Sequence, residues 1–564
     1  MAMISDLALI RELKTIAGAG HVVTGRQAMR RFVRGYRYGE GEALAVVRPG
    51  TLVEMWRAIR ATVRAGRVIV MQAANTGLTG GSTPQGTYDR GVVVFNTMRL
   101  KGIHMLNGGA QVVCLPGATL YELERELRPM GREPHSEIGS SCLGASVHGG
   151  VCNNSGGALI RRGPAYTEAA VYAWVDETGE LRLVNELGID LGHDPERQLD
   201  KLERGGFARV VHDMHERVCS APQYLDEVRD VTATSPARFN ANPRYLKGAS
   251  GSAGRLIVFA VRLDTFPKPE ENTVFHVASD DPMALAAIRR QLLSDAALVP
   301  VAAEYMHRDM FRLAARYGKD TFLAVRLLGA DRLPLLFSFK SAVDGLAEKF
   351  GLGRLRLSDR ILQGLSHLAP PHLPERLVQA GKRYAHHLLI KVDAEQVSAV
   401  KAALAAALPA ERGAYYECTE SEGRKAFLHR FAAAGAAIRY TILKSGRAEG
   451  LVALDVALRR NDKAWHYVVP DHLKHMVDKT LVYGHYFCHV FHQDFVLRVE
   501  ADPEAFKKGM LLHYESRGAE CPAEHNVGHL YPAKPALEAF YRGLDPTNSM
   551  NPGTGQTSRK ANWK

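Results

Sequence analysis

The stretch RVIVMQAANTGLTGGST, residues 67–83, runs a β-branched strand straight into a turn with glycines at 77, 80 and 81. The run VIVMQ has the composition of a buried strand. The turn that follows is rich in residues that let successive backbone N–H groups converge on one point, and Thr76, Thr79 and Ser82 add hydroxyl donors. Such a nest suits an anion, and a pyrophosphate is its natural occupant. The pattern is neither G-x-G-x-x-G opening a helix nor G-x-x-x-x-G-K-[ST]. It therefore excludes a nicotinamide-type dinucleotide fingerprint and a P-loop alike.

Some 60 residues on lies a second glycine-rich stretch, PHSEIGSSCLGASVHGGVCNNSGGALIRRGPAYTE (134–168), with glycines at 139, 144, 149, 150, 156 and 157. Its small polar residues cannot build an ordinary core, but they let backbone approach a large flat ligand closely. Two such stretches in one chain point to a dinucleotide with a planar ring. Around them the pattern alternates. A strand at ALAVVRP (43–49) precedes a helix over Val53–Arg64, with Val53, Met55, Trp56, Ile59 and Val63 at helical spacing. Strands at 92–97 and 111–117, a helix over Leu120–Met130, and strands at 168–184 and 254–266 follow. The Pro- and charge-rich FPKPEENT (266–273) marks a boundary. Beyond it the pattern is α+β, with helices near 283–294 and 396–408.

The bulk properties bound the answer. At 564 residues, 46% hydrophobic and 23% charged, the chain is globular, long enough for three to four domains or two large ones, and needs no disulfides for stability. The N-terminus, interrupted by Asp6, Arg11, Glu12 and Lys14, reads as an amphipathic helix and not as a signal peptide, and no apolar window is long enough to span a bilayer. Seven scattered cysteines with no CxxC pair suit a reducing cytoplasm. The net charge of +12 calls for an anionic partner, surface or ligand.

The order RVIVMQAANTGLTGGST, PGATLYEL (116–123), IGSSCLGASVHGGVCNNSGG (138–157) and AGRLIVFAVRL (253–263) resembles the FAD-binding domain of the vanillyl-alcohol-oxidase (VAO/PCMH) type. AEHNVGHLY (523–531) and LDPTNSMNPG (544–553) resemble its D-2-hydroxy-acid dehydrogenase branch. REPHSEIGSSC, RGPAYTE, GKDTF, KAFLHRFAAAGAAIRY, FHQDF and PAEHNVGHLY are similar to the membrane-associated, quinone-dependent D-lactate dehydrogenases, over nearly the whole chain. The resemblance implies an α+β fold: a FAD domain over 1–268 completed by 521–564, and a substrate cap over 269–325 and 386–520. A basic, apolar membrane-facing segment over 326–385 interrupts the cap. By position, Ala73, Ala74, Asn75, Thr76, Gly77, Gly81 and Ser82 would cradle the FAD pyrophosphate. Ser140, Ser141, Gly144, Val147, Asn154 and Gly157 would line ribityl and isoalloxazine, and Val258 and Phe259 would offer backbone to the adenine end. Many relatives tether FAD through a His in the first loop; 73–83 holds neither His nor Cys, so a non-covalent flavin is expected.

The resemblance also gives His485, His492, Glu524 and His525 their roles: two His and the Glu as ligands of a divalent metal, and His525 as the base. Histidine and carboxylate ligands suit zinc or manganese. Oxidising a 2-hydroxy acid requires removing the hydroxyl proton while hydride leaves C2, which a neutral imidazole with an ordinary pKa near 6.5 can do. Glu524 or a neighbouring acid would orient it. The substrate carboxylate calls for a guanidinium fork. Arg430 and Arg439 lie nine residues apart along an alanine-rich helical stretch, on roughly opposite faces, so only one can face the pocket; Arg430 is favoured.

Residues 326–383 hold ten bases and five acids, +5 of the chain's +12, interleaved with LPLLFSF, LAEKFGLGRLRL and ILQGLSHLAPP. Basic plus apolar without a span reads as lying peripherally on an anionic membrane, on the cytoplasmic face of the bacterial inner membrane where the resemblance places such enzymes. A nucleic-acid partner would need interleaved aromatics, which this stretch supplies sparsely. No protein partner is inferred. The expected reaction is D-lactate to pyruvate with hydride to FAD and electrons to membrane quinone. The alternative is a soluble FAD dehydrogenase of another D-2-hydroxy acid, such as 2-hydroxyglutarate or glycolate.

Overall fold

The computed structural model describes residues 4–136, 144–207, 217–269, 271–329, 343, 357–445 and 450–564. The first layer is a four-stranded sheet of β1 (Val22–Val23), β2 (Ala45–Val47), β3 (Val68–Gln72) and β4 (Val92–Asn96), in the order β1-β2-β4-β3. Helix α1 (Arg26–Val33) precedes β2, and α2 (Leu52–Arg64) carries the chain from β2 to β3, both parallel to β4. Thr51 caps α2 by accepting from the N–H of Glu54, and Leu52, Met55, Trp56 and Ile59 form its buried face. The unbroken apolar run of β4 is what a strand covered on both faces requires. The free edge of β3 is completed from the other end of the chain: Ile69 N–H donates to Ser549 O, and Asn551 N–H to Ile69 O.

The second sheet is wholly antiparallel: β5 (Ile103–Leu106), β6 (Gln111–Cys114), β7 (Ala170–Val175), β8 (Leu181–Asn185) and β9 (Ile257–Asp264), in the order β5-β6-β9-β7-β8. A bulge in β9 leaves Phe259 without a partner in β7. Short helix α3 (Val147–Cys152), capped by Ser146, lies in the second glycine-rich stretch.

The third layer is a seven-stranded antiparallel sheet of β10 (Asn272–Ser279), β11 (Ala302–His307), β12 (His386–Asp393), β13 (Ala414–Glu417), β14 (Leu451–Ala457), β15 (Val477–His485) and β16 (Val490–Leu497). Its order is β13-β10-β12-β11-β15-β16-β14. One face packs Tyr305, Phe491 and Phe495 against helices 282–294 and 397–407. The other packs Met306, Leu481 and Val496 against helix 308–317, α6 (Glu420–Phe431) and α7 (Ala433–Ser445). Between the strands lie α4 (Lys319–Leu328) and α5 (Leu357–Leu368). The core of the basic, apolar segment, 330–342 and 344–356, lies outside the described residues, as do Ser140 and Ser141.

The alanine-rich stretch 425–440 is not one helix. It breaks at Ala432, so the expectation of two arginines on opposite faces of a continuous helix does not hold. Among the described residues, no helix is long and apolar enough to cross a membrane.

Candidate active site

Strand register builds the centre of the site. Glu304 pairs with His485, Tyr483 with His492, and His492 with Asp455. Paired residues and residues two apart share a face, so Glu304, Tyr483, His485, His492, Asp494 and Asp455 all project from one side of the sheet. That side, with the two glycine-rich loops opposite, lines a cavity of about 1800 Å³. The hairpin turn at 486–489 is what brings the two histidines, seven apart, to one side.

The first loop lines this cavity with Ala73, Ala74, Asn75, Thr76, Gly77, Gly81 and Ser82. Asn75, at φ 56°, donates to Arg34 O and accepts from Ser82, which fixes the loop's curl. The C-terminal segment holds the loop from behind: His529 N–H donates to Thr79 O and Asn551 to Gly81 O. Gly528 is required there, at φ 50°, since a Cβ would lie 2.3 Å from Thr79 O. From the second loop the lining takes Ala145, Ser146, His148 and Gly156–Gly157, and from β9 it takes Val258. Gly144, Val147, Asn154 and Phe259 are not brought to it. Val147 is in the core with its N–H on Ala118 O, Asn154 turns its amide to Asn240 O and Tyr245 O, and Phe259 packs on Trp56.

The charged cluster is dense. Glu304 and His485 meet at 2.6 Å through Nδ1, and His485 Nε2 lies 3.2 Å from Glu524 Oε2. The second oxygen of Glu524 is held by Arg238 and, at 3.1 Å, by the N–H of Gly157. A Cβ on Gly156 would strike that carboxylate, so the second loop must be glycine at this point. His492 Nδ1 faces Asp455 Oδ1 at 3.2 Å, and Asp455 Oδ2 accepts the N–H groups of Glu524 and His525. Arg430 sets its Nε 2.7 Å from Glu304 and its guanidinium over the Tyr483 ring.

Charge states follow from these neighbours. Burial works against the charged form of His485, but Glu304 and Glu524 outweigh it and raise its pKa to about 10. Burial disfavours the Glu304 carboxylate, yet Arg430 and His485 bring it down to about 2. Asp455 and Glu524 are likewise held below the usual range despite burial, by the surrounding histidines and, for Glu524, Arg238. Burial raises Asp494. His525 is lowered, chiefly by burial, against the pull of Asp455, and so is neutral at physiological pH.

A scan of protein families matches residues 274–563 to "D-lactate dehydrogenase, membrane binding" and residues 43–184 to "FAD binding domain". The quinone-dependent D-lactate dehydrogenase of Escherichia coli (strain K12) is 49% identical over all of this chain and 99% of that protein. The chain belongs to the quinone-dependent D-lactate dehydrogenase family. The Haemophilus influenzae protein of the same description is also 49% identical, over 98% of this chain and 99% of that one. A p-cresol methylhydroxylase structure with substrate bound, 14% identical, aligns at a TM-score of 0.58 over 97% of this chain and 96% of its own. That likeness shows the VAO/PCMH-type FAD-binding fold expected from the glycine-rich loops.

Within this family fold, the predicted His485, His492, Glu524, His525 and Arg430 converge on one cavity. Glu524 does not orient His525, however. It is occupied by His485 and Arg238, and Asp455 stands beside His525 instead, its Oδ2 3.9 Å from Nε2. Arg439 reaches the wall of the cavity but is buried and bound to Asp320 and Asp359. Glu304, Asp455, Arg238 and Arg37 were not singled out from the sequence. An acid inside an apolar strand, as in AAEYMH (302–307) and LVALDVA (451–457), is the signal that points to the first two. Arg37 lines the cavity, forms no ion pair or hydrogen bond with another described residue, and its charge reaches Asp494 and His525.

Proposed function

We infer that this chain oxidises D-lactate to pyruvate on a non-covalently bound FAD and passes the electrons to a membrane quinone. The observation that carries this is the single face of β11, β14, β15 and β16, whose Glu304 and Asp455 contact the α6 guanidinium of Arg430 and the loop base His525 across one cavity from the glycine-rich loops. When bound, FAD supplies the acceptor for the hydride from lactate C2. Arg430 and Arg37 hold the substrate carboxylate, with Glu304 fixing the Arg430 guanidinium in place. The lactate hydroxyl gives its proton to the neutral His525 ring, and Asp455 stabilises the imidazolium that forms.

The residues also fit a divalent cation. His485, His492 and Glu524 bring ligand atoms within 4.8 Å of one another. Each histidine has its Nδ1 steered by a carboxylate, Glu304 or Asp455, and Glu524 keeps one oxygen on Arg238; this is the support that metal ligands ordinarily have. A zinc or manganese ion held there would polarise the lactate oxygens. Elemental analysis of protein purified without chelator, together with melting curves with and without added Mn²⁺ or Zn²⁺, tests this. No metal and no melting shift would remove the ion from the site.

The surface reading is peripheral attachment to the cytoplasmic face of the inner membrane. Family membership in a membrane-binding group supports attachment, and six free thiols among the described residues suit a reducing compartment. The purified protein should be yellow, bleach with D-lactate but not L-lactate in the absence of oxygen, and regain colour on adding quinone. His525→Ala should keep the flavin and lose the bleaching. Bleaching by D-2-hydroxyglutarate in preference to D-lactate would overturn the substrate assignment.

A further inference from the structure

The cavity, about 1800 Å³, extends past both the glycine-rich loops and the charged cluster. Past Arg430 its wall changes character. It continues along Val325 of α4, Phe431 at the end of α6, and Gly435, Ile438 and Ile442 of α7, with the polar Thr321, Arg439 and Thr441 interspersed. Gly435 sits inside the run AAGAA, where glycine costs about 1 kcal/mol relative to alanine. A Cβ there would meet nothing within 4 Å, so open space lies beside it.

The far end of this apolar limb reaches Asp359 of α5. Helix α5 is inverted relative to an ordinary surface helix. It buries Ser358, Asp359, Gln363 and Ser366 and exposes Ile361, Leu365 and Leu368, the last at 84%. On α4, which shares the limb's wall, Leu327 is 76% exposed. The two helices therefore turn one side to the cavity and an apolar side outward. A water-facing surface gains nothing from this, but a lipid-facing one does. The buried Arg439–Asp320–Asp359 group keeps polar side chains satisfied at the junction, while the exposed Arg326 of α4 and Arg360 of α5 set positive charge beside the apolar side chains, as an anionic lipid surface favours.

We propose that the apolar limb bounded by α4, α5 and α7 is the quinone site: an isoprenoid quinone from the bilayer lays its ring beside Gly435, pointing toward the flavin cradle. The proposal rests on the quinone-dependent reading given above and adds where that acceptor binds. The balance is D-lactate plus quinone to pyruvate plus hydroquinone. The hydride from C2 and the hydroxyl proton taken by His525 leave lactate, and two electrons and two protons end on the quinone oxygens, the second proton exchanged through solvent. Lactate and quinone then occupy different limbs of one cavity, so the two half-reactions can be impaired separately.

The test is Gly435→Phe in the full-length flavoenzyme, with three measurements. These are anaerobic bleaching by D-lactate, turnover with ferricyanide as a small soluble acceptor, and turnover with decylubiquinone in vesicles. We expect bleaching and ferricyanide turnover near wild type, and quinone turnover lowered roughly tenfold or more. Equal quinone turnover in wild type and variant would overturn the site. Wild-type protein that bleaches but reduces no quinone would instead overturn the quinone-dependent reading itself. Should the variant fail to retain FAD, an azidoquinone photolabel on wild-type protein decides: labelling within 427–442 supports the site, and labelling confined elsewhere refutes it.

Discussion

Replacing Asp455 with Asn isolates the charge that the proposed base depends on. Asp455 accepts the backbone N–H groups of Glu524 at 2.6 Å and His525 at 3.3 Å. An Asn Oδ1 can still accept both, so the loop 523–526 keeps its place, whereas Ala would strand two buried donors. What is lost is the negative charge 3.9 Å from His525 Nε2, against which a positive charge appears as the ring takes the hydroxyl proton. Two unit charges at that separation interact by about 4 kcal/mol at an effective dielectric near 20. The His525 side chain is 35% exposed, and halving the interaction for that solvent leaves about 2 kcal/mol. This corresponds to a roughly 30-fold slower proton-abstraction step. The assay is stopped-flow bleaching of the flavin by saturating D-lactate without oxygen, which reads the lactate half-reaction alone. The amplitude, which reports bound flavin, should not change. A rate within about threefold of wild type, less than 1 kcal/mol, would show that His525 does not gain its charge beside Asp455, and the assignment of the base would fall.

Other outcomes follow from the same contacts. Arg255 is fully buried, bonds Asn548, Met550 O and Thr557, and stacks on Trp563; Arg255→Met should cost about 3–5 kcal/mol and release the C-terminal brace on the first glycine loop, seen as a lower melting temperature and FAD lost on gel filtration. Unchanged FAD retention would show that the brace is dispensable. Burial holds His276 and His429 near pKa 3 and His372 near 4. Because the unfolded rings titrate near 6.5, the unfolded chain binds protons first, and stability should fall as pH drops below that value, by about 2 kcal/mol per ring at pH 5. Melting temperatures from pH 7.5 to 5 read this directly, and a flat profile contradicts it. Leu365→Asp with Leu368→Asp removes two exposed apolar side chains worth about 1.5–3 kcal/mol each in lipid, and should abolish co-sedimentation with anionic vesicles while leaving D-lactate bleaching intact.

The sequence by itself determined the two glycine-rich loops, the strand before the first, and the candidate residues His485, His492, Glu524, His525 and Arg430. These are local signals: a backbone nest needs glycines in a row, and chemistry needs particular side chains. The second loop was legible only in part. Which of its residues face the cavity depends on which N–H groups the neighbouring strands have already taken, as Val147 shows by donating to Ala118 O. The partners of the histidines were decided by tertiary structure alone. Glu304 lies 181 residues from His485, and Asp455 reaches His525 across 70; both meet their partners because antiparallel register sets alternate residues of separate strands on one face. Likewise, the break at Ala432 places both Arg430 and Arg439 at the cavity, and only their carboxylate neighbours distinguish them. Glu304 leaves Arg430 beside the reacting centre, while Asp320 and Asp359 bind Arg439 at the far end, a division that charge pairing in the folded chain makes and residue spacing cannot.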